Sequence, residues 1–113
     1  MPLIKLDAID STNDFLKQLL KESEVDDYTI VMAKEQTKGK GQMGAKWISE
    51  PGKNLTMSIL VKDIQLNNQN IYDFNIAVAL SVLKVLKNIQ IPNVAIKWPN
   101  DIMADSKKVA GIL

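Results

Sequence analysis

The chain contains no cysteine and no histidine among its 113 residues. Without cysteine there is no disulfide, no thiolate metal site and no cysteine nucleophile. Without histidine the Ser-His-Asp triad, histidine general-base catalysis and the usual zinc sites are excluded as well. Charge of one sign is also lacking: 14 basic against 13 acidic residues leave a net charge of +1. That balance gives no electrostatic reason to expect nucleic acid or a membrane as partner. No run approaches the roughly 20 apolar residues of a membrane span. The N-terminal run Met1-Pro2-Leu3-Ile4-Lys5 lacks the length and cleavage site of a secretory signal, so the expected location is the cytoplasm. Any chemistry must rest on Lys, Asp, Glu, Asn, Gln, hydroxyls and the backbone.

What is there reads as one globular domain or part of one, 46% hydrophobic and 24% charged. Leu3–Leu6 reads as a short strand. Asp10-Ser11-Thr12-Asn13 supplies helix caps ahead of Phe15, Leu16, Leu19 and Leu20, which fall at helical spacing. Tyr28–Ala33 reads as a strand, 38–44 as a glycine-containing flexible loop, and Leu55–Val61 as a strand with one face buried. Ile71–Ile89 is apolar over most of its circumference, the pattern of a buried helix. Val94–Lys97, Ile102–Ala104 and Lys108–Leu113 read as strands, with a hairpin turn at Asp105-Ser106-Lys107. Strict βαβ alternation is absent. The expected class is α+β, a mixed or antiparallel sheet with helices packed on one face. The chain stops inside an apolar, strand-like run, Val109 to Leu113. Termini are usually polar and frayed, so the expectation is an N-terminal portion of something longer.

Four segments could carry chemistry. Gly39, Gly41 and Gly44 match G-x-G-x-x-G literally after a predicted strand, but the residues before Pro51-Gly52 are too few for the helix a dinucleotide fold requires. A mobile surface loop is one remaining reading. A cradle for phosphate or carboxylate is the other, with Lys38, Lys40 and Lys46 adding charge and Trp47 able to stack on a base. Ser11, Thr12 and Asn13 are first of all helix caps. Hydroxyls and an amide at a helix N-terminus also suit a small polar group such as a ureido ring, and Gln36 would add a second amide. Lys97-Trp98-Pro99-Asn100-Asp101 closes an apolar run with a cation, an amide and a carboxylate. It is either a strand end with a solvated turn or a place for a nucleotide triphosphate and its magnesium. Lys97, between Ile96 and Trp98, needs an anionic partner if that run is buried. Lys108 lies on a neighbouring predicted strand.

Asp10-Ser11-Thr12-Asn13, Gly39-Lys40-Gly41-Gln42-Met43-Gly44, Lys97-Trp98-Pro99-Asn100-Asp101 and Lys107-Lys108-Val109-Ala110-Gly111-Ile112-Leu113 together resemble the biotin protein ligases. Each motif is weak, their order is specific, and the resemblance covers essentially the whole chain. It implies a biotin/lipoate-ligase-like catalytic domain, of which residues 1–113 would be the N-terminal portion, without the rest of that domain and the small β-barrel that follows it. Such a portion by itself is expected to be inactive or marginally stable. The implied activity uses ATP to form biotinyl-5′-AMP and then transfers biotin to a lysine of a biotin carboxyl carrier domain.

By the same resemblance Ser11, Thr12, Asn13 and Gln36 would hold the ureido ring, with Lys40, Gly41, Gln42, Lys108 and Gly111 completing the biotin contacts. Gly39, Lys40, Gly41, Gly44, Trp47 and Asn100 would serve ATP and the adenylate, and Asp101 the magnesium. Lys108, supported by Lys97, would neutralise the charge that develops as the two anions meet. The family loop is commonly Gly-Arg-Gly-Arg-Arg-Gly. Here Lys40, Gln42 and Met43 replace its arginines and cannot form a bidentate fork to phosphate, so weaker retention of the adenylate is expected. A start within a few residues of Met1 suits the monofunctional type, without DNA binding. An exposed strand in the family can pair with the carrier or with a second ligase, so a homodimer is one arrangement the resemblance allows. Two alternatives stay open: a lipoate or octanoate ligase on the same fold, and a truncated module that binds biotin without turnover.

Overall fold

A computed structural model describes residues 2–40, 44, 46–48 and 50–113, with the backbone alone at Lys40 and Trp47. The chain forms two compact units, Met1–Ile64 and Gln65–Leu113.

In the first unit, strand β1 (Leu3–Ile9), helix α1 (Thr12–Glu22) and strand β2 (Ile30–Gln36) make one βαβ turn. β1 and β2 are parallel, from Leu3↔Ile30 to Ile9↔Gln36. Helix α1 starts where the sequence predicts. Ser11 is extended, at φ −159° and ψ 138°, and its side chain accepts the Asp14 N–H at 3.1 Å. Its apolar stripe packs Leu16 with Val25 and Val31, against Ile4, Leu6, Phe15, Leu19 and Leu60. Two short strands follow, β3 (Gly39–Lys40) and β4 (Lys46–Trp47), paired antiparallel. The glycine segment expected as a loop is therefore rooted in a hairpin. A strand rather than a helix follows Gly44, so the dinucleotide-binding reading fails on the ground anticipated for it. Strand β5 (Thr56–Ile59) completes the sheet antiparallel to β2, giving the order β1-β2-β5.

β5 buries one face, as expected. Its buried face is the polar one. Ser58 is 7% exposed, whereas Met57 and Ile59 are each 45% exposed. Buried hydroxyls are tolerated only when paired, and the N-terminus of α1 supplies the partners.

The second unit consists of helix α2 (Ile71–Asn88) and an antiparallel meander of strands β6 (Val94–Lys97), β7 (Asp101–Ala104) and β8 (Lys107–Gly111). The β7–β8 turn is the expected hairpin. Asp105 and Ser106 both have positive φ, 49° and 65°, the signature of a two-residue turn that matches strand twist. Helix α2 is not the buried helix its composition predicts. Of its side chains only Ala79 is buried, while Leu80 and Val85 are 51% and 57% exposed. Its contacts within the unit are with β6 and β7, and so small a sheet covers one stripe of a helix. Among the described residues no helix is long and apolar enough to cross a membrane.

Candidate functional site

Because β1 and β2 run in parallel, their carboxyl ends lie side by side, and α1 begins there. Ile9 pairs with Gln36, and the ladder continues as Thr37 N–H donates to Ile9 O and Lys38 N–H to Asp10 O. Residues from three segments distant in sequence meet at this edge. The Thr12 N–H donates to Gln36 Oε1 at 2.8 Å, and Thr12 Oγ1 lies 3.1 Å from the same oxygen. Thr12 Oγ1 is also 2.8 Å from Ser58 Oγ, and Ser58 donates to Asn13 Oδ1. Ser11 and Thr12 are 4% and 3% exposed. Thr12, Asn13 and Gln36 are thus brought together as a polar cluster, with Ser11 beside it as the helix N-cap. Ser58 belongs to it and was missed. Its only sequence signal is Thr56-x-Ser58 on one face of a strand otherwise apolar.

The root of the glycine hairpin lies at the same edge. Lys38 bridges to Asp10 at 3.9 Å, and Thr37 Oγ1 donates to Asp10 Oδ1 at 3.2 Å. Gly39 pairs with Trp47, and Lys40 with Lys46. Gly44 has φ +79°, a conformation that glycine adopts without strain. Gly41, Gln42 and Met43 lie outside the described residues, as do the side chains of Lys40 and Trp47.

In the second unit, strand register decides which charges meet. Lys97 pairs with Asp101, Ile96 with Ile102, and Ala95 with Met103. Lys97, Asp101 and Met103 therefore share one face of the meander, and Ile96 and Ile102 the other. Asp101 faces Gly111 and Ile102 faces Ala110, but the register then slips, so that Met103 faces Lys108. The extra residue is Val109. Without that bulge Val109 would oppose Met103, and Lys108 would turn to the Ile102 face. With it, Lys108 joins Asp101, and Lys108 Nζ lies 2.8 Å from Asp101 Oδ1. Gly111, opposite Asp101, has no side chain to obstruct that diagonal. Two lysines thus flank one carboxylate on a single face, an excess of positive charge suited to an anion.

Asn100 Nδ2 donates to Ile112 O at 2.8 Å, and Ile112 N–H returns to Asn100 O at 2.9 Å. Its amide fixes the end of β8 against β7. Lys97 departs from the expectation that it lies in a buried run. It is exposed, because alternation along β6 turns Val94 and Ile96 inward and Lys97 outward. Trp98 precedes a cis peptide bond to Pro99 and stacks on Tyr72, with ring centroids 6.4 Å apart and planes at 28°. Tyr72 carries no motif in the sequence that points to this contact. Among the described residues no three acidic side chains gather as a metal site.

The description "biotin/lipoate A/B protein ligase family" belongs to a family model that matches residues 6–113. The bifunctional ligase/repressor BirA of Escherichia coli is 32% identical over 108 residues, covering 96% of this chain and 33% of that protein. The biotin–[acetyl-CoA-carboxylase] ligase of Mycobacterium tuberculosis is 32% identical over 107 residues, covering 91% of this chain and 40% of that one. The biotin protein ligase of Aquifex aeolicus, solved in complex with biotin and ATP, superposes at a TM-score of 0.83 with 37% identity. It covers 99% of this chain and 45% of its own. The biotin acetyl coenzyme A carboxylase synthetase of Helicobacter pylori, solved with biotinylated ATP, gives a TM-score of 0.76 at 28% identity, over 99% and 53% of the two chains. The chain spans between a third and about half of these relatives.

Proposed function

The chain belongs to the biotin/lipoate A/B protein ligase family, and from that membership we propose that it carries substrate-binding elements of an ATP-dependent biotin–[biotin carboxyl carrier protein] ligase. In the first step a biotin carboxylate oxygen bonds to the α-phosphorus of ATP, and the bond to the β-phosphate breaks to release pyrophosphate. In the second a carrier lysine amine attacks the acyl carbon, AMP leaves with the electron pair, and the amine loses a proton. Neither step needs a cysteine or histidine. The first needs two anions held together and their charge neutralised, a matter of position and electrostatics.

The polar cluster of Thr12, Gln36, Ser58 and Asn13 is the observation that carries the biotin reading. A ureido ring presents one carbonyl acceptor and two N–H donors, and paired hydroxyls and carboxamides match such a ligand better than they match an apolar dithiolane. The Lys97–Asp101–Lys108 face supports the assignment of Lys108 to the biotin carboxylate and phosphate oxygens, with Lys97 in support. Asn100 and the glycine hairpin are assigned to ATP. Magnesium commonly takes one or two carboxylates together with substrate phosphates. A lone carboxylate fits that habit, and Asp101, whose Oδ1 already meets Lys108, would contribute its second oxygen. The ion would offset phosphate charge.

The carrier partner is a biotin carboxyl carrier domain of a carboxylase. Calorimetric titration of the chain with biotin and with lipoate tests the reading. Selective uptake of biotin is expected; preference for lipoate transfers the chain to the other branch of its family.

A further inference from the structure

We propose that Ser58 is a positioning residue of this cluster, fixing which edges of Thr12 and Asn13 face the ligand. The inference rests on the reading that the cluster takes the ureido ring. It follows from counting protons. Ser58 has one hydroxyl hydrogen, and it lies on Asn13 Oδ1. The contact of 2.8 Å between Thr12 Oγ1 and Ser58 Oγ must then use the Thr12 hydrogen. The relay runs one way, Thr12 to Ser58 to Asn13.

Its consequences are chemical. With Oδ1 held by Ser58, the Asn13 amide group is turned away from β5 with both N–H bonds available as donors. With Oε1 held by the Thr12 N–H, Gln36 likewise keeps its own NH2 as a donor. Thr12, having given its hydrogen to Ser58, keeps oxygen lone pairs as acceptors. The cluster thereby offers amide donors for a urea carbonyl and a hydroxyl acceptor for a urea N–H. Without the Ser58 hydroxyl that polarity is lost. The Thr12 hydrogen, which already has Gln36 Oε1 within reach at 3.1 Å as well as Ser58 at 2.8 Å, then goes to Gln36 alone, and nothing among the described residues holds Asn13 in one amide orientation. Ser58 is itself buried on β5, and it acts through its neighbours rather than on the ligand.

Threonine and valine at position 58 separate orientation from packing, since the two have the same shape and suit a strand equally, and one lacks the hydroxyl. In calorimetric titrations of the whole chain, Ser58→Thr should bind biotin as the parent does. Ser58→Val should bind roughly tenfold more weakly, the usual scale for stranding a buried polar partner. In the ligand-free chain, the side-chain amide NMR resonances of Asn13 should move in Ser58→Val and stay in Ser58→Thr. Equal biotin affinity of the two variants overturns the role of Ser58 while leaving the ligand reading intact. A folded parent that takes up no biotin overturns the ligand reading, and the Asn13 spectra then uphold or overturn the orienting role by themselves. Should Ser58→Val fail to fold, Ser58→Ala is measured in its place.

Discussion

Ser11 and Lys108 show how one side chain is fixed by several demands. Ser11 sits beside the polar cluster and is also the N-cap of α1, accepting the Asp14 N–H. Ser11→Ala should therefore cost about 1 kcal/mol of stability in urea denaturation, over and above any change in biotin affinity. Ser11→Gly, which keeps a tolerable cap backbone, should cost only a few tenths of a kcal/mol; equal losses for the two would argue against a capping role. Lys108 and Lys97 share a face, but Lys108 is held by Asp101 at 2.8 Å, and Lys97 is exposed at the strand end. A lysine whose position is fixed stabilises developing charge better than one that must be ordered first. In a ligase carrying this segment, Lys108→Ala should lose on the order of 3 kcal/mol of transition-state stabilisation in biotin-dependent pyrophosphate exchange. Lys97→Ala should lose clearly less, and the reverse order would refute the ranking.

At the scale of elements, the bulge in β8 is the feature with most consequence. It was invisible in the sequence. Val109 reads as an ordinary strand residue, and regular pairing would have put Lys108 on the opposite face from Asp101. Deletion of Val109 removes the extra residue yet leaves Lys108 opposite Met103, so the deletion chain should fold and keep its affinity for an adenylate analogue within about threefold, the loss of one half-exposed valine being small. Loss of that affinity as complete as in Lys108→Ala would contradict the assigned register.

What the sequence did disclose was local. The cap at Ser11 and the turn at Asp105-Ser106 could be read because their signals lie within a few residues. The union of Thr12, Gln36 and Ser58 depends on strand pairing over 24 and 46 residues of sequence separation, which periodicity does not specify. The polar inner face of β5 was masked by the apolar residues of its outer one. Gln36 could be singled out as a second amide just before the glycine segment, whereas Ser58 had no motif to announce it.

At the scale of the whole molecule, two apolar surfaces are unusual. The Leu3, Ile59 and Met57 side of the first sheet and the Tyr72, Ile76 and Leu80 stripe of α2 are all more than a third exposed. Patches of this kind mark surfaces meant to be covered. The 113-residue chain in isolation should therefore bind the dye ANS and sediment above its monomer mass at tens of micromolar. A monomer without ANS fluorescence would show that these faces are shielded in solution. The central claim is that this chain carries elements for both biotin and its adenylate. It is tested most directly by calorimetric titration with biotin and with a non-hydrolysable biotinyl-adenylate analogue, on the parent and on Lys108→Ala. The parent should take both ligands, the adenylate analogue more tightly, and Lys108→Ala should lose most of that advantage. Equal affinity for the two ligands in the parent, or an advantage untouched by Lys108→Ala, would contradict the account.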